Sequence, residues 1–421
     1  VYSNRLAKEF LPGMVPPLVW SINVPIVNRA WLDLFESVVG PLDLEPEDLA
    51  RQFAYRAYFD MGAVGDIFEA MSMPRDLLEV IIGVEGGDDR PTFRPRMGVM
   101  RHLPRMGRLG WRLARYHHEL DGLIPELQAE LARLDARDLT AMSAKGLVRH
   151  LAELEQVIRR AAFANILAPL LFNTYASILR RRLAKRGIEA EGIDIGAGEP
   201  ELAQYDPLPR LRALANQVTG LDAATRERVA AGEVRLVPGM DDFLERFGHV
   251  SESGNDFSHV PWREDPAKLA PMLLEDDVRE ASEGRSLPDD LSRLDRGLVR
   301  RTTRYRLERE RVSYTWTRGY GQFRPVVLEI ARRLLEHGAL EEADDVFCLT
   351  RDEMERALQA GGDELAAVAR SRRAEMASLA DVELPEVIFG DAFEPAPATE
   401  PDRRLHGTPR SRGVVRAPAR V

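Results

Sequence analysis

The segment FGHVSESGNDFSHVPWREDP, residues 247–266, interrupts a chain that otherwise follows mainly helical patterns. It gathers two histidines, several carboxylates and hydroxyls and an arginine, while Gly248, Gly254 and Pro261 break any continuous helix. A polar segment inside a helical chain is the first place to seek a binding or catalytic site. Because loops are polar by default, a solvated surface connection explains the same composition equally well.

Composition limits the class of protein. The 421 residues carry a formal net charge of −10, which argues against a general nucleic-acid-binding protein. Their number allows two or three domains, or one large helical unit with subdomains. The single cysteine, Cys348, excludes a disulfide within the chain and fits a reducing cytoplasm. We therefore predict a cytoplasmic protein with no metal site.

An uncharged run, residues 161–179, has to be tested as a membrane span. Asn165, Pro169 and several hydroxyl-bearing residues make it more polar than the roughly 20 predominantly apolar residues that a span needs. We predict a central buried helix and no membrane partner.

The patterns predict a mainly α fold, a multi-helix domain with an irregular Pro-rich N-terminal segment and a short β start at the C-terminus. The expected divisions are residues 1–40 as the N-terminal segment packed on the helical domain, 41–392 as a helical domain with a possible subdomain break near 187–240, 393–404 as a linker, and 405–421 as the truncated start of another domain.

Four local expectations follow from turn and breaker residues. Prolines and a glycine in residues 10–21 exclude regular helix there, so the first helix should begin near Val24. Residues 46–70 should be helical. A long helix should be interrupted at Gly319 and Gly321, and residues 345–349 should be extended.

The sequence contains no phosphate-binding glycine loop in a strand-to-helix context and no nucleophile elbow. The central segment carries the remaining candidate chemistry. His249, with Glu252 or Asp256 as helpers, could orient a hydroxyl acceptor or remove its proton. Arg263 could hold a phosphate or carboxylate through its planar guanidinium, or could simply pair with an adjacent acid.

Substrate-binding candidates lie in the same segment and outside it. Methionines of residues 71–106 could line an adaptable apolar pocket, although core filling is the simpler explanation. The candidates are Ser251, Ser253, Asn255, Arg263, Trp20, Met97 and Met100.

Four segments together resemble the phosphoenolpyruvate synthase and rifampicin phosphotransferase family of ATP-dependent dikinases. They occur in family order: residues 2–21 with Leu-Pro-Gly and Pro-Pro-Leu-Val-Trp-Ser, 247–266 with Phe-Gly-His and Pro-Trp, 318–350 with Asp-Val-Phe-Cys-Leu, and 405–421 with Leu-His-Gly-Thr-Pro.

The resemblance implies a middle part of a longer enzyme, between an ATP-grasp domain and a swivelling phosphohistidine domain. ATP, with Mg²⁺, would phosphorylate the mobile histidine, and the histidine would phosphorylate a small-molecule acceptor, leaving AMP and phosphate. This chain would hold no cofactor itself and would bind the acceptor. None of its own histidines would be the phosphocarrier.

One difference from the family pattern leaves the identity of the acceptor open. Relatives often have His-Arg-Gly where this chain has His249-Val250-Ser251, so rifampicin cannot be assumed. Nor do the signatures of a pyruvate-binding barrel occur. Two alternatives remain: a helical scaffold that only positions flanking domains or docks a partner, and a ligase-like relative that uses the phosphorylated acceptor at once for condensation.

Overall fold

The computed structural model describes residues 1–5, 7, 11, 13–70, 103–188, 201–275, 291–362 and 364–391. In these ranges the fold is mainly α, as the sequence predicts. The helices are α1 Pro17–Val39, α2 Met61–Ala70, α3 Leu103–Asp135, α4 Ala144–Lys185, α5 Pro207–Thr219, α6 Ala223–Ala230, α7 Met240–Phe247, α8 Ala270–Leu274, α9 Arg293–Glu336, α10 Arg351–Ala360 and α11 Leu365–Ser378.

Short 3₁₀ turns and one small sheet complete the described fold. The turns are Pro46–Leu49, Leu202–Gln204, Val234–Leu236, Pro266–Leu269 and Ala343–Cys348. The strands are β1 Tyr2–Ser3, β2 Ala50–Phe53, β3 Arg56–Asp60 and β4 Val387–Ile388, in the order β2-β3-β1-β4. All pairs are antiparallel, with Tyr2 opposite both Asp60 and Ile388.

The main core forms where the two longest described helices, α4 and α9, pack along each other. Each begins at a serine N-cap: Ser143 accepts a hydrogen bond from the Gly146 amide, and Ser292 from the Asp295 amide. Helices α1 and α3 pack beside this pair and bury their apolar faces on it. The predicted Ser143 cap and the extent of α4 are confirmed.

A second apolar cluster lies within residues 207–274 and is formed by α5 to α8 with the turns between them. Phe243 and Phe247 of α7 are buried in it. Because α7 ends at Phe247, this cluster fixes the start of the polar segment that follows.

The first helix begins earlier than predicted. Residues 17–21 are helical, so the expectation of an irregular segment up to Ser21 is wrong there. Pro16 is extended at the N-cap and Pro17 occupies the first turn, where the missing amide would have no helical partner in any case. Trp20 consequently lies on a helix face.

The expectation of a helix over residues 51–60 is also wrong, because β2 and β3 form a hairpin there. Ala54 and Tyr55 make its two-residue turn, with φ of 45° and 62°. Two left-handed residues define the primed turn that suits a hairpin. The sequence lacks the Asn-Gly or Asp-Gly pair that usually signals such a turn.

Two further local expectations are wrong. Helix α9 continues through Gly319 and Gly321 to Glu336, and residues 343–348 form a 3₁₀ turn. A Cβ on Gly319 would lie 2.1 Å from Ile158 Cδ1 of α4. This glycine therefore permits close helix packing and does not end the helix.

Among the described helices, α4 alone is long and apolar enough to cross a membrane by length and composition. It packs against α1, α3 and α9, and 39% of its most apolar window is buried. The run 161–179 is part of a helix that contributes to the core, as predicted, but less than half of its most apolar window is buried. The prediction of a cytoplasmic location stays a prediction. The predicted linker 393–404 and residues 405–421 lie outside the described residues, and the predicted domain boundaries likewise stay predictions.

We expect Gly319→Ala to lower the free energy of unfolding by about 1 to 2 kcal/mol, because overpacking against Ile158 outweighs the helix propensity gained. Gly297→Ala in the same helix is the matched control, since no described atom lies within 4 Å of its added Cβ. That control should stabilise the protein by up to about 1 kcal/mol. Urea unfolding of both variants measures the difference, and equal stabilisation by the two would contradict the close packing.

Candidate functional site

The polar segment after α7, here called the central loop (residues 248–265), is closed by backbone hydrogen bonds between its ends. The Arg263 amide donates to the Gly248 carbonyl at 2.8 Å, and the Trp262 amide donates to the Val250 carbonyl at 2.9 Å. A Cβ on Gly248 would lie 2.9 Å from Arg263 Cβ and 2.2 Å from the Leu244 carbonyl oxygen. Glycine is required at this point of the closed loop.

His249 is buried against α9. Its Nε2 lies 3.3 Å from Thr317 Oγ1, and its ring meets the Tyr314 ring edge to face at 5.2 Å. Burial, with Arg263 and Arg318 nearby, lowers the pKa of His249 to about 3. An imidazole with so low a pKa is a weak base at neutral pH, so His249 is poorly suited to remove a proton from an acceptor. Its contacts with Thr317 and Tyr314 instead orient the central loop against α9.

Asp256 and Glu252, the predicted helpers of His249, face a different histidine. Asp256 is buried and accepts hydrogen bonds from the Ser258 amide at 2.9 Å and the Ser258 hydroxyl at 2.6 Å. Burial raises the pKa of Asp256. His259 lies between the two carboxylates, with Nε2 3.8 Å from Asp256 and Nδ1 3.7 Å from Glu252. Glu252 is exposed and also pairs with Lys268 at 3.3 Å.

Ser251 and Ser253 lie on the same side of the loop as His249 and Asp256. The Ser251 hydroxyl donates to the Ser253 carbonyl at 2.7 Å, while the buried Ser253 hydroxyl has no hydrogen-bond partner within the described part of the chain. Both serines line a polar pocket of about 30 Å³, large enough for one water molecule. The polar pocket is defined by His249, Ser251, Ser253, Asp256, His259 and Arg324.

A larger cavity of about 260 Å³ lies on the other side of the loop, between α1, α4 and the β2–β3 hairpin. None of the described residues that line it carries a charge. This apolar cavity is defined by Trp20, Asn23, Trp31, Asn165, Asn255 and Trp316. Two predicted binding residues, Trp20 and Asn255, therefore meet in one cavity, although they are far apart in the sequence.

Asn255 joins the apolar cavity to the loop. The Asn23 side-chain amide donates to the Asn255 carbonyl at 2.6 Å, and Trp316 Nε1 donates to Asn255 Oδ1 at 2.6 Å. The neighbouring residues Gly254 and Asp256 line the polar pocket. The short segment around Asn255 is thus the wall shared by the two cavities, and α1 and α9 hold it in place.

The structure does not bring all predicted residues together. Arg263 is exposed, and within the described residues its guanidinium makes no ion pair with a carboxylate. Met97 and Met100 lie outside the described residues, and no described methionine lines the apolar cavity. Among the described residues, no group of three or more acidic, His or Cys side chains could hold a metal ion.

Several residues of the two cavities were not predicted, and three of them contact the loop: Asn23, Trp316 and Arg324. Asn23 is a polar residue inside an apolar stretch of α1, which is a usable signal for a buried polar contact. Trp316 lies in an Arg-rich helix and gives no such signal. Arg324, with a side chain 7% exposed, pairs with Glu264 at 2.9 Å and donates to the Ser258 carbonyl at 2.8 Å. It anchors the loop from α9.

The chain has a distant likeness to a curated protein. No family model matches the chain. It is 26% identical over 226 residues to a rifampicin phosphotransferase from Streptomyces sviceus, across 45% of this chain and 26% of the relative. The chain thus spans only 26% of the length of the curated relative it matches. This likeness supports a distant relation to phosphotransferases of the phosphoenolpyruvate-utilizing kind.

The low pKa of His249 predicts a pH-dependent loss of stability. In the unfolded chain this histidine takes up a proton near pH 6.5, whereas in the folded chain it stays neutral down to about pH 3. The contribution of the neutral imidazole to the free energy of unfolding is fully present above pH 6.5. It falls by about 1.4 kcal/mol per pH unit below that pH.

His249→Gln removes this titration. We expect the free energy of unfolding of the unsubstituted protein to fall by about 2 kcal/mol relative to the variant between pH 6.5 and 5. Urea unfolding of both proteins across this range measures the difference. Parallel pH profiles would show that His249 is not held neutral by the fold.

Proposed function

We propose that this chain is the acceptor-binding part of an ATP-dependent dikinase-type phosphotransferase. The overall reaction converts ATP and an acceptor into phosphorylated acceptor, AMP and phosphate by way of a phosphohistidine on another domain. The observation that carries the proposal is the apolar cavity, whose wall contains Asn255 of the central loop. The distant likeness to a rifampicin phosphotransferase supports the reaction class.

The acceptor would occupy the apolar cavity. Small-molecule sites are concave and mainly apolar, with a few polar groups that fix orientation. Three indole rings, those of Trp20, Trp31 and Trp316, line this cavity and offer large flat surfaces to a ring-containing ligand. The carboxamides of Asn23 and Asn255 supply the polar groups.

The central loop would position the acceptor for phosphoryl transfer. His249 orients the loop against Thr317, and Ser251, Ser253 and Asp256 line its polar pocket. The exposed Arg263 is free to contact the phosphoryl group that arrives on the mobile histidine.

The remaining components lie outside this chain in the proposal. ATP and Mg²⁺ would bind an ATP-grasp domain, and the phosphocarrier would be a swivelling phosphohistidine domain of the same protein. These two domains and the small-molecule acceptor are the proposed partners. The proposed location is the cytoplasm.

A scaffold that only positions flanking domains has one observation in its favour. The central loop is partly neutralised by ion pairs, with Glu252 bound to Lys268 and Glu264 bound to Arg324. A role as a scaffold alone, however, does not account for the uncharged cavity beside the same loop. Acceptor binding therefore explains more of the observed geometry.

A substitution that fills the apolar cavity tests the proposal in the full-length protein. Val27→Phe projects extra volume from α1 into the cavity, so we expect the KM for the acceptor to rise roughly tenfold or more. Phosphorylation of the mobile histidine by ATP should not change, because that step needs no acceptor. Leu208→Phe, at an exposed position of α5, is the control. Loss of both activities, or of neither, would contradict an acceptor role.

The same assay tests the loop. His249→Ala should reduce acceptor-dependent AMP release, while His118→Ala, at an exposed position of α3, should not. Unchanged acceptor-dependent AMP release in the His249 variant would exclude its proposed role.

A further inference from the structure

A basic groove of about 960 Å³ is lined mainly by the N-terminal half of α9, with one residue from α3 and one from the segment before α5. Its volume lies within the range of small-molecule sites. Four guanidinium groups and one carboxylate line it, in a protein whose formal net charge is −10. The titratable residues of the basic groove are His117, Glu201, Arg293, Arg300, Arg301 and Arg304.

Three of these arginines have no carboxylate partner in the described part of the chain. Arg293 and Arg300 are exposed and make no ion pair there. The guanidinium carbon of Arg301 lies 5.5 Å from the centroid of the Tyr175 ring. This cation–π contact leaves the positive charge in place.

The neighbouring carboxylates on α9 and α3 are already engaged. Asp295 pairs with Arg182 of α4 at 2.7 Å. Asp121 of α3 and Glu308 of α9 both pair with Arg304, at 2.5 Å and 2.9 Å. The one glutamate of the lining cannot offset the three remaining guanidinium groups, so the groove keeps an excess of positive charge.

This positive charge opposes the helix that carries it. Arg300 is four residues from Arg296, and like charges at that spacing destabilise a helix. Arg293 lies in the first turn, where the helix dipole favours an anion over a cation. Burial first, and then His118 and two arginines of the groove, lower the pKa of His117. A bound anion would relieve these repulsions.

The spacing of the arginines favours an extended anion over a single phosphate ion. Arg293, Arg300 and Arg304 follow one another at intervals of seven and four residues, which places them on one side of α9. With a rise of 1.5 Å per residue, the row is about 16 Å long. Successive phosphate groups can each accept two N–H donors from a guanidinium group.

The lining does not favour single-stranded nucleic acid. Sites for single strands add exposed aromatic rings on which the bases stack. In the described lining of the basic groove, the Tyr305 ring is buried and stacks on Tyr175 at 5.4 Å, so it presents no free face to a base.

We infer that the basic groove binds a linear chain of two or more phosphate groups through the guanidinium groups of Arg293, Arg300 and Arg301. Free polyphosphate and the phosphate chain of a nucleotide share this chemistry, and the test separates them. The inference is independent of the proposed function, since neither the apolar cavity nor the central loop takes part in it.

Isothermal titration calorimetry on the 421-residue chain tests the inference with tripolyphosphate, ATP, inorganic phosphate and citrate. Tripolyphosphate should bind about tenfold or more tightly than phosphate or citrate, because one chain engages several guanidinium groups. Added salt should weaken this binding. Tighter binding of ATP than of tripolyphosphate would identify a nucleotide as the ligand, and the reverse would identify a free phosphate chain.

The double substitution Arg300→Gln with Arg301→Gln should weaken tripolyphosphate binding by about tenfold or more, because it removes two charged donors. Arg226→Gln with Arg228→Gln, at exposed positions of α6, removes the same charge and is the matched control. Its affinity should stay within about twofold of the unsubstituted chain, since distant exposed charges are screened. If the first double variant does not fold, Arg293→Gln at an exposed position replaces it and should also weaken binding.

Four results would overturn the inference. These are no binding of tripolyphosphate, equal affinity for tripolyphosphate, phosphate and citrate, equal loss of affinity in the two double variants, or tighter binding of a single-stranded oligothymidylate than of tripolyphosphate. Because these measurements involve neither an acceptor nor phosphoryl transfer, their failure is separate from failure of the proposed function.

Discussion

The close packing of α9 on α4 is the constraint on which the rest of the structure depends. Gly319 lets the backbone of α9 approach Ile158 of α4, and two residues later Gly321 lies against His249, where an added Cβ would be 3.0 Å from the His249 Cβ. One face of α9 thus builds the core, and the opposite face of the same turn holds the central loop. Trp316 of the same helix then reaches Asn255. The position of the loop follows from the helix pair.

The loop divides two environments of opposite character. On one side a small polar pocket holds buried Asp256 beside His259, and on the other an uncharged cavity presents three indoles and a row of carboxamides. In the proposed function, the apolar side holds the acceptor and the loop presents it to an incoming phosphoryl group. The hydrogen bonds from Asn23 and Trp316 to Asn255 would fix the position of the loop relative to the cavity.

The sequence predicts the helical class and the extent of α4 because serine caps and apolar periodicity are local signals. It misplaces the β2–β3 hairpin, whose left-handed turn at Ala54 and Tyr55 lacks the usual residues, and it takes Gly319 as a break because tertiary packing is invisible in the chain. For the site, it locates the loop and selects Trp20 and Asn255, which line the same cavity in the structure; their role in binding stays a prediction. It pairs His249 with Glu252 and Asp256, whereas in the structure both carboxylates lie beside His259.

Hydrogen–deuterium exchange on the full-length protein tests most directly whether the apolar cavity is the acceptor site. An acceptor that supports AMP release should slow exchange in α1, across residues 17–31, and in residues 253–257 of the central loop. If the acceptor binds in this cavity, both segments are protected, and Val27→Phe abolishes the protection. Protection confined to the Arg-rich face of α9 between residues 293 and 307, with none in α1 or the loop, would contradict it.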